Sequence, residues 1–423
     1  MIKWIKLSDL CKKITDGSHF SPHSASTGFP MMSVKDMRDN GFSYSDCKYI
    51  NKSDFDSIVK ADCKPLLNDI LIAKDGSYLK HVFVIENEKD EVILSSIGIL
   101  RPNLELLNPY YIKYYLHSDF VKKQVAKKFV SGSALPRIII KNFGNIEVPY
   151  VEKKDQGRIV NVLKSIDTKI QLNNRINTEL ESMAKTLYDY WFVQFDFPDK
   201  NGKPYKSSGG KMLWNEELKR EIPEGWKNGI FGNYANLKGG FAFKSNWWIE
   251  KGLPVIKIKD INEDNTLSIE NCSCVNQDKY DKAKNYEAFP GDVVIAMTGA
   301  TVGKFGIVPK TNNSILVNQR VGLFNLGKNP ILKLPFLINS LNQDYFRDTI
   351  FIIASGAAQP NISSDQIDAI PLVIPDKKII DLFNSKLSCF YEITINNIRE
   401  NQKLSELRDW LLPMLMNGQV RVG

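Results

Sequence analysis

Two stretches of sequence decide the fold: GFPMMSVKDM at residues 28–37 and GLPVIKIKDI at residues 252–261. They align at a separation of 224 residues, with Gly, Pro, Lys and Asp in the same places. Further stretches continue the alignment in the same order, namely 68–73 with 291–296 (separation 223), 96–100 with 320–324, and 131–138 with 355–362. Collinear matches at a nearly constant separation indicate an internal duplication.

Each copy has a β-rich part followed by a helical part. Short β-branched runs such as Val82–Ile85 and Val293–Met297, separated by Gly, Pro and Asn, predict strands over about 150 residues. Apolar positions spaced alternately four and three apart then predict a long helix with a heptad seam. The seam is Ile159, Leu163, Ile166, Ile170, Asn173, Asn177 and Leu180 in the first copy, and Phe383, Leu387, Phe390, Thr394, Asn397, Asn401 and Leu404 in the second.

The asparagines of the two seams suggest that the helices pair. Asn173 and Asn177 match Asn397 and Asn401 at the separation of 224. A seam Asn costs stability unless its amide finds a partner, so we expect the two helices to pack antiparallel in a fixed register. The alternative is that these positions face solvent and that Ile176 and Ile393 form the seam locally.

The sequence therefore predicts an α+β fold in which two β-rich domains are separated by two long antiparallel coiled-coil helices, with a pseudo-twofold internal repeat. Helices of this length would form a rod of ~50–55 Å. The expected boundaries are a first domain at 1–150, a central helix at 151–195, a linker at 196–221, a second domain at 222–375, and a C-terminal helix and tail at 376–423.

Composition narrows the class of protein. The chain has 423 residues, a formal net charge of +8 and 43% hydrophobic residues, as expected of a folded protein with several domains. The positive charge suits a polyanionic partner without requiring one.

No apolar run reaches the ~18–20 residues that span a bilayer, and the first residues lack a signal-peptide core, so we expect a cytoplasmic protein with no membrane partner. Six scattered cysteines and four histidines form no metal-binding pattern, and we expect reduced, structural thiols.

Motifs that resemble catalytic ones are incomplete. Residues 299–305 (GATVGKF) have three residues between the glycines where a phosphate-binding loop needs four, and Phe305 replaces its Ser or Thr. This stretch is better explained as a tight turn that presents Thr301 and Lys304. Residues 108–111 (NPYY) lack the second Pro of an amino-methyltransferase motif, and the Asp/Glu-Lys-Lys sequences at 152 and 376 are explained as helix starts. We therefore expect no catalysis by this chain.

Together, these features resemble the DNA-specificity subunit of type I restriction–modification systems, over essentially the whole chain. The stretches that carry the resemblance are IPEGW at 222–226, SGAAQPNIS at 355–363, YWFVQFDFP at 190–198 and LLPMLMNGQVRV at 411–422. The first copy departs from the pattern, since Leu135 and Arg137 stand where the second has Gln359 and Asn361.

The resemblance implies two target recognition domains, each reading one half of a split site in double-stranded DNA. It implies that the helices act as a ruler and dock two methyltransferase subunits, which methylate adenine N6, and that two motor-nuclease subunits can join for ATP-dependent cleavage. S-adenosylmethionine, ATP and Mg²⁺ would then be bound by partner subunits, with no cofactor on this chain.

Candidate DNA contacts lie beside the repeated loops, because Arg and Lys suit guanine, Asn and Gln suit adenine, and cations bind phosphates. They are Ser77, Lys80, Ser96 and Arg137 in the first domain, and Thr301, Lys304, Gln319, Arg320 and Asn361 in the second. Each could equally be a surface or turn-stabilising residue. The matched Lys80 and Lys304 suit phosphates best, because domains with different targets can share only non-specific contacts.

Other hypotheses remain open on the sequence alone. One is a single-chain methyltransferase or restriction enzyme, which methylation by the isolated chain would establish. Another is a structural coiled-coil protein with no role on DNA. The apolar clusters at the helix ends, with Trp191, Phe192 and Phe195 in one and Trp410 and Met414 in the other, suit either core packing or partner docking.

Overall fold

The computed structural model describes residues 3–75, 79–128, 130–131, 137–311, 313–355, 360–420 and 422. The chain forms two compact units. The first unit contains Met1–Thr168 and Leu404–Gly423, and the second contains Lys169–Lys403. Both boundaries fall inside a long helix, so each unit includes part of both helices.

The first unit consists mainly of short strands and helices. Its strands are β1 (Lys3–Lys6), β2 (Cys11–Asp16), β3 (Phe29–Met32), β4 (Met37–Arg38), β5 (Gly41–Phe42), β6 (Lys48–Ile50), β7 (Ile70–Ala73), β8 (Val82–Val84), β9 (Val92–Ile93), β10 (Ile97–Pro102), β11 (Val130–Ser131), β12 (Arg137–Ile138) and β13 (Glu147–Tyr150). Its helices are α1 (Leu7–Leu10), α2 (Lys52–Lys60), α3 (Pro109–His117), α4 (Asp119–Lys128), α5 (Ile140–Gly144) and the start of α6 (Lys153–Tyr188), with a 3-10 turn at Val34–Asp36.

The second unit has a similar but not identical order of elements. Its strands are β14 (Met212–Asn215), β15 (Arg220–Pro223), β16 (Lys227–Ile230), β17 (Leu237–Gly239), β18 (Trp248–Ile249), β19 (Leu253–Ile256), β20 (Ser273–Val275), β21 (Glu287–Ala288), β22 (Val293–Ala296), β23 (Phe305–Ile307), β24 (Ile315–Val317), β25 (Val321–Phe324) and β26 (Pro371–Ile374). Its helices are α7 (Phe231–Tyr234), α8 (Tyr280–Ala283), α9 (Leu334–Leu341), α10 (Asp344–Ala354), α11 (Ser364–Asp368) and most of α12 (Lys377–Met416). A π-helical turn at Asp189–Val193 follows α6, and 3-10 turns lie at Ser245–Trp247, Ile258–Asp260, Ile269–Asn271, Gln277–Lys279, Lys284–Tyr286 and Pro330–Leu332.

The duplication predicted from the sequence is confirmed by the sheets. A four-stranded sheet has the order β2-β10-β7-β8 in the first unit and β17-β25-β22-β23 in the second. A parallel pair also occurs in each unit, β3 with β9 and β19 with β24. Buried Asp36 and Asp260 accept hydrogen bonds from the backbone N–H groups of Ser33 and Lys257, respectively, at the start of equivalent 3-10 turns. The fold is therefore a mixed helix-and-sheet module present twice.

The central strands are apolar because both faces of the sheet are covered. Ile70 and Ile72 of β7 enter one hydrophobic cluster, while Leu71 and Ala73 enter another on the opposite face. The residues of β22 divide in the same way between two clusters of the second unit. A strand buried on both faces lacks polar alternation, which explains the continuous apolar runs in the sequence.

The segment 196–221, assigned to a linker by the sequence, is folded onto the second unit. It contains β14, and part of β15 pairs with it as a hairpin. Phe197 is buried and stacks on Trp226, with ring centres 4.9 Å apart. Gly225 has φ = +88°, which lets the chain turn tightly just before Trp226. The IPEGW stretch is thus part of the core at the end of the central helix.

Candidate nucleic-acid interface

Three chain segments meet at the end of the main sheet in the second unit. The Met297 N–H donates to the carbonyl of Arg320 (N···O 3.0 Å), and the Ile362 N–H donates to the carbonyl of Met297 (2.9 Å). Thr298 and Asn361 form a β-bridge beside them. This meeting point joins the turns between β22 and β23 and between β24 and β25 to the segment that follows α10.

The first unit contains the same meeting point. The Lys74 N–H donates to the carbonyl of Ser96 (3.0 Å), and the Ile138 N–H donates to the carbonyl of Lys74 (3.2 Å). Lys74, Ser96 and Ile138 match Met297, Arg320 and Ile362 at separations of 223, 224 and 224 residues. The two units therefore use one backbone framework to bring three loops together.

The structure brings together eight of the nine predicted DNA contacts at these two points, through the backbone segments that carry them. Lys80, Gln319, Arg320 and Asn361 are exposed, and Ser96, Thr301 and Lys304 are half-buried. Arg137 lies in β12, but its side chain, like the whole of Ser77, is outside the described part of the chain. The Ser96 hydroxyl accepts a hydrogen bond from the Val34 N–H (3.3 Å). This hydrogen bond within the protein gives Ser96 a structural role independent of DNA. Whether any of these residues touches DNA stays a prediction.

Lys304 is held by an acidic partner that the sequence did not reveal. Its Nζ lies 2.6 Å from Oε1 of Glu263, and the Lys304 side chain is 19% exposed whereas that of Glu263 is 91% exposed. The Gly299–Gly303 turn that positions Lys304 has φ = +85° at both glycines. The Lys304 ammonium group is therefore already paired with an exposed carboxylate, and an ion pair of this kind contributes little to stability.

The two meeting points differ in what lies beneath them. In the first unit, Lys74 is buried and its Nζ contacts Oδ2 of Asp16 at 2.5 Å. In the second unit the equivalent positions are Met297 and Gly239, as the strand pairings Gly98 with Asp16 and Gly322 with Gly239 show. A buried ion pair is thus replaced by an apolar contact, a difference that no pattern in the sequence identified.

The paired asparagines lie where the two long helices meet within the second unit. Asn173 Nδ2 donates to Oδ1 of Asn401 (2.9 Å) and to Oε2 of Glu400 (2.7 Å). Asn397 Nδ2 donates to Oδ1 of Asn177 (2.8 Å). Residue numbers rise on α6 as they fall on α12, so the contacts run antiparallel. Ile176 and Ile393 are exposed, which argues against the alternative seam.

The aromatic clusters at the helix ends have different environments. Trp191, Phe192 and Phe195 are all buried in the main core of the second unit, so core packing explains them. Trp410, by contrast, is 58% exposed on α12 in the first unit. Core packing does not explain this exposed ring.

The family model described as "Type I restriction modification DNA specificity domain" matches residues 2–182 and 223–406. The two matches cover most of the chain, one for each copy of the repeat. The chain belongs to the type I restriction–modification DNA specificity family. The resemblance inferred from the sequence is therefore confirmed.

Relatives in this specificity family match over nearly the full chain. The HindI specificity subunit of Haemophilus influenzae is 24% identical over 99% of both chains. The MjaVIII specificity subunit of Methanocaldococcus jannaschii is 23% identical over 93% of this chain and 89% of its own. The crystal structure of a type I restriction–modification S subunit from M. genitalium shares the fold, with a TM-score of 0.53 at 16% identity over 98% of this chain and 96% of that one.

The described residues contain no cluster of His, Cys, Asp and Glu that could hold a metal ion. All six cysteines are free thiols. In the part of the chain that the structure describes, no helix combines the length and the apolar character needed to cross a membrane.

Proposed function

We propose that this chain is the subunit of a type I restriction–modification complex that recognises DNA. Its two units each read one half of a bipartite site, and partner subunits perform adenine-N6 methylation and ATP-dependent cleavage. The observation that carries the proposal is the duplicated meeting point, at which one backbone framework presents different side chains in each unit. A shared framework with different side chains suits half-sites of different sequence.

Base reading is assigned to four residues with hydrogen-bonding side chains, carried by the segments that meet at these points. Arg320 and Arg137 suit guanine, and Gln319 and Asn361 suit adenine. Lys80 and Lys304 occupy equivalent turns with the same charge, so they suit phosphates, which are common to both halves. Ser77, Ser96 and Thr301 are proposed as further polar contacts.

The long helices are proposed to form an antiparallel coiled coil that sets the spacing between the half-sites and docks two methyltransferase subunits. The hydrogen bonds of Asn173 and Asn397 support a fixed register. Exposed residues on the helices include Trp410 and Met183. Trp and Met are enriched in protein–protein interfaces, so these side chains suit the docking of a partner subunit. The catalytic groups, S-adenosylmethionine, ATP and Mg²⁺ are assigned to the partners.

Selection from a random duplex library tests the proposal. The chain is purified with its methyltransferase partner, bound duplexes are recovered through several rounds, and their sequences are determined. We expect one enriched motif with two fixed halves and an unspecified gap. The Arg320→Ala variant should relax one half only, whereas Lys328→Ala, an exposed lysine beyond the opposite end of β25, should leave both halves intact. A single continuous motif, or none, would contradict the proposal.

A further inference from the structure

In the second unit, a group of lysines surrounds two tryptophans. None of these residues is among the candidate DNA contacts discussed above. The ammonium groups of Lys244, Lys279 and Lys282 lie 6.0, 5.4 and 5.5 Å from the ring centre of Trp247. Next to it, Lys257 lies 3.4 Å from the ring centre of Trp248. We call this group the Trp247 surface.

Positive charge accumulates on this surface with little compensation. Since each of the three ammonium groups is within 6.0 Å of one ring centre, no two are more than about 12 Å apart, close to the screening length of ~10 Å at moderate salt. Lys279 pairs with exposed Asp278 at 2.5 Å. Lys244 and Lys282 have no ion pair among the described residues. An anion bound here would relieve the mutual repulsion of the lysines.

The Trp247 surface adjoins the candidate reading turn between β24 and β25. Trp247 stacks on Phe241, with ring centres 6.1 Å apart and planes at 15°. The carbonyl of Phe241 accepts a hydrogen bond from the N–H of Gln319 (2.9 Å). The ring that the lysines surround is therefore joined through Phe241 to the backbone of the turn that carries Gln319 and Arg320.

The corresponding segment of the first unit lacks such a surface. Residues 241–252 contain Lys244, Trp247 and Trp248, whereas residues 18–28 (SHFSPHSASTG) contain neither Lys nor Trp. Lys244, Trp247 and Trp248 thus have no counterpart of the same type in the first copy, where a single lysine, Lys52, lies 5.1 Å and 5.4 Å from the ring centres of Phe29 and Phe55.

We propose that the Trp247 surface binds the phosphate backbone of duplex DNA next to the half-site read by the second unit. Lys244, Lys279 and Lys282 contact phosphates, while the stacked aromatic rings fix the position of their side chains. This assignment rests on the proposed function and adds an asymmetric, sequence-independent contact to it.

The ring geometry favours phosphates over stacked bases. One face of Trp247 packs on Phe241, and the Trp248 ring is covered by Lys257, whose Nζ also donates to Oγ of Ser273 (2.9 Å). A base could stack on Trp248 only by displacing Lys257. Phosphate oxygens, in contrast, can approach the lysines from solvent without moving a ring.

Salt dependence of binding tests the proposal. The full-length chain is titrated onto a fluorescein-labelled duplex of mixed sequence at a series of KCl concentrations, with anisotropy as the readout. Replacing Lys244, Lys279 and Lys282 together by Gln should reduce the slope of log K against log salt by about 0.9 per phosphate contact, or roughly 2 to 3 in all. Replacing all three by Arg should preserve the slope, and Lys328→Gln is the matched control. Thermal unfolding of each variant checks that the fold is retained.

Two results would overturn the proposal. One is an unchanged slope in the triple Gln variant; if that variant also fails to bind the methyltransferase subunit, the surface is assigned to an acidic protein instead. The other is a larger loss of affinity for a fluorescein-labelled single strand than for the duplex, since that would indicate base stacking. If the wild-type complex still selects a bipartite motif, either of these results rejects the lysine contact alone and leaves the proposed function standing.

Discussion

Asn173 and Asn401 are 228 positions apart in the chain, yet their side-chain amides form a hydrogen bond of 2.9 Å between the two long helices. Asn173 is fully buried, and its Oδ1 has no hydrogen-bond partner among the described residues. A buried amide that is only half satisfied favours one register at a cost in stability.

Because the two amides act together, their contributions to stability should be coupled. Asn173→Ala and Asn401→Ala are each expected to destabilise the chain, and the double variant should lose less than the sum, by about 0.5–1.5 kcal/mol. Urea denaturation of the four proteins measures this coupling. Pairing Asn173→Ala with Asn271→Ala, an exposed residue outside both long helices, should give additive losses. Additivity for Asn173 and Asn401 as well would mean that their hydrogen bond contributes nothing.

Releasing Lys304 from Glu263 should strengthen binding to DNA. In the Glu263→Gln variant the ammonium group no longer has a competing carboxylate, so affinity for a duplex of mixed sequence should rise about two- to ten-fold at low salt. Lys304→Gln should lower it, and the double variant should resemble Lys304→Gln alone. Anisotropy titration gives these affinities.

Glu270→Gln is the control for that experiment, since it removes one exposed negative charge from the same unit. An equal gain in affinity from Glu263→Gln and Glu270→Gln would show that net charge, and not the ion pair with Lys304, governs the effect.

The ion pair of Lys74 and Asp16 should be replaceable by Met and Gly, the residues that occupy the equivalent positions in the second unit. Lys74→Met alone leaves the largely buried Asp16 without this partner and should destabilise the chain by about 3 kcal/mol. Lys74→Met combined with Asp16→Gly recreates the pair Met297 and Gly239 and should recover most of that loss. Chemical denaturation measures both changes. A double variant as unstable as Lys74→Met would show that the two meeting points are not equivalent.

Stability should depend on pH through Asp292. Burial raises the pKa of this carboxyl to about 6 from its ordinary value of 3.8. A raised pKa means that the folded state prefers the protonated form of the carboxyl. The contribution of Asp292 to the free energy of unfolding is therefore complete below about pH 4 and is lost as the pH rises through 6. Asp292→Asn keeps the acceptor for the Phe289 N–H and should therefore be more stable than wild type above pH 6, by roughly 1–3 kcal/mol.

The equivalent residue of the first unit provides the contrast. Asp69 is paired with Arg101, whose Nη2 lies 2.9 Å from its Oδ2. Asp69→Asn should therefore destabilise the chain at neutral pH. Urea denaturation at a series of pH values checks both variants, and a gain in stability for Asp69→Asn would contradict the assignment.

The duplication and the helix seams could be predicted because both produce a regular pattern in the sequence, the first a repeat about 224 residues apart and the second a heptad spacing. Leu163, Asn173 and Leu387 lie on buried faces as the heptad spacing requires. The spacing of Lys80 and Lys304 likewise placed them on equivalent turns between strands. Repetition and periodicity survive in a single sequence, and they fix which faces are buried.

Other features depend on contacts between residues that are far apart in the chain, and such contacts produce no regular pattern in the sequence. Glu263 reaches Lys304 across 41 residues, and Lys74 reaches Asp16 across 58. The segment 196–221 contains Gly and Pro as a linker would, yet Phe197 anchors it by stacking on Trp226. Local composition shows that the chain turns at such places, but not what it packs against.

The central claim, that each unit specifies half of one DNA site, is tested most directly by sequencing N6-methyladenine in a bacterial host without its own adenine methylation. The host expresses this chain with its methyltransferase partner, and in parallel a chimera in which residues 222–375 come from another specificity subunit. We predict methylation within one two-part motif, of which the chimera changes one half and keeps the other. A motif that changes in both halves, or that does not change at all, would contradict the claim.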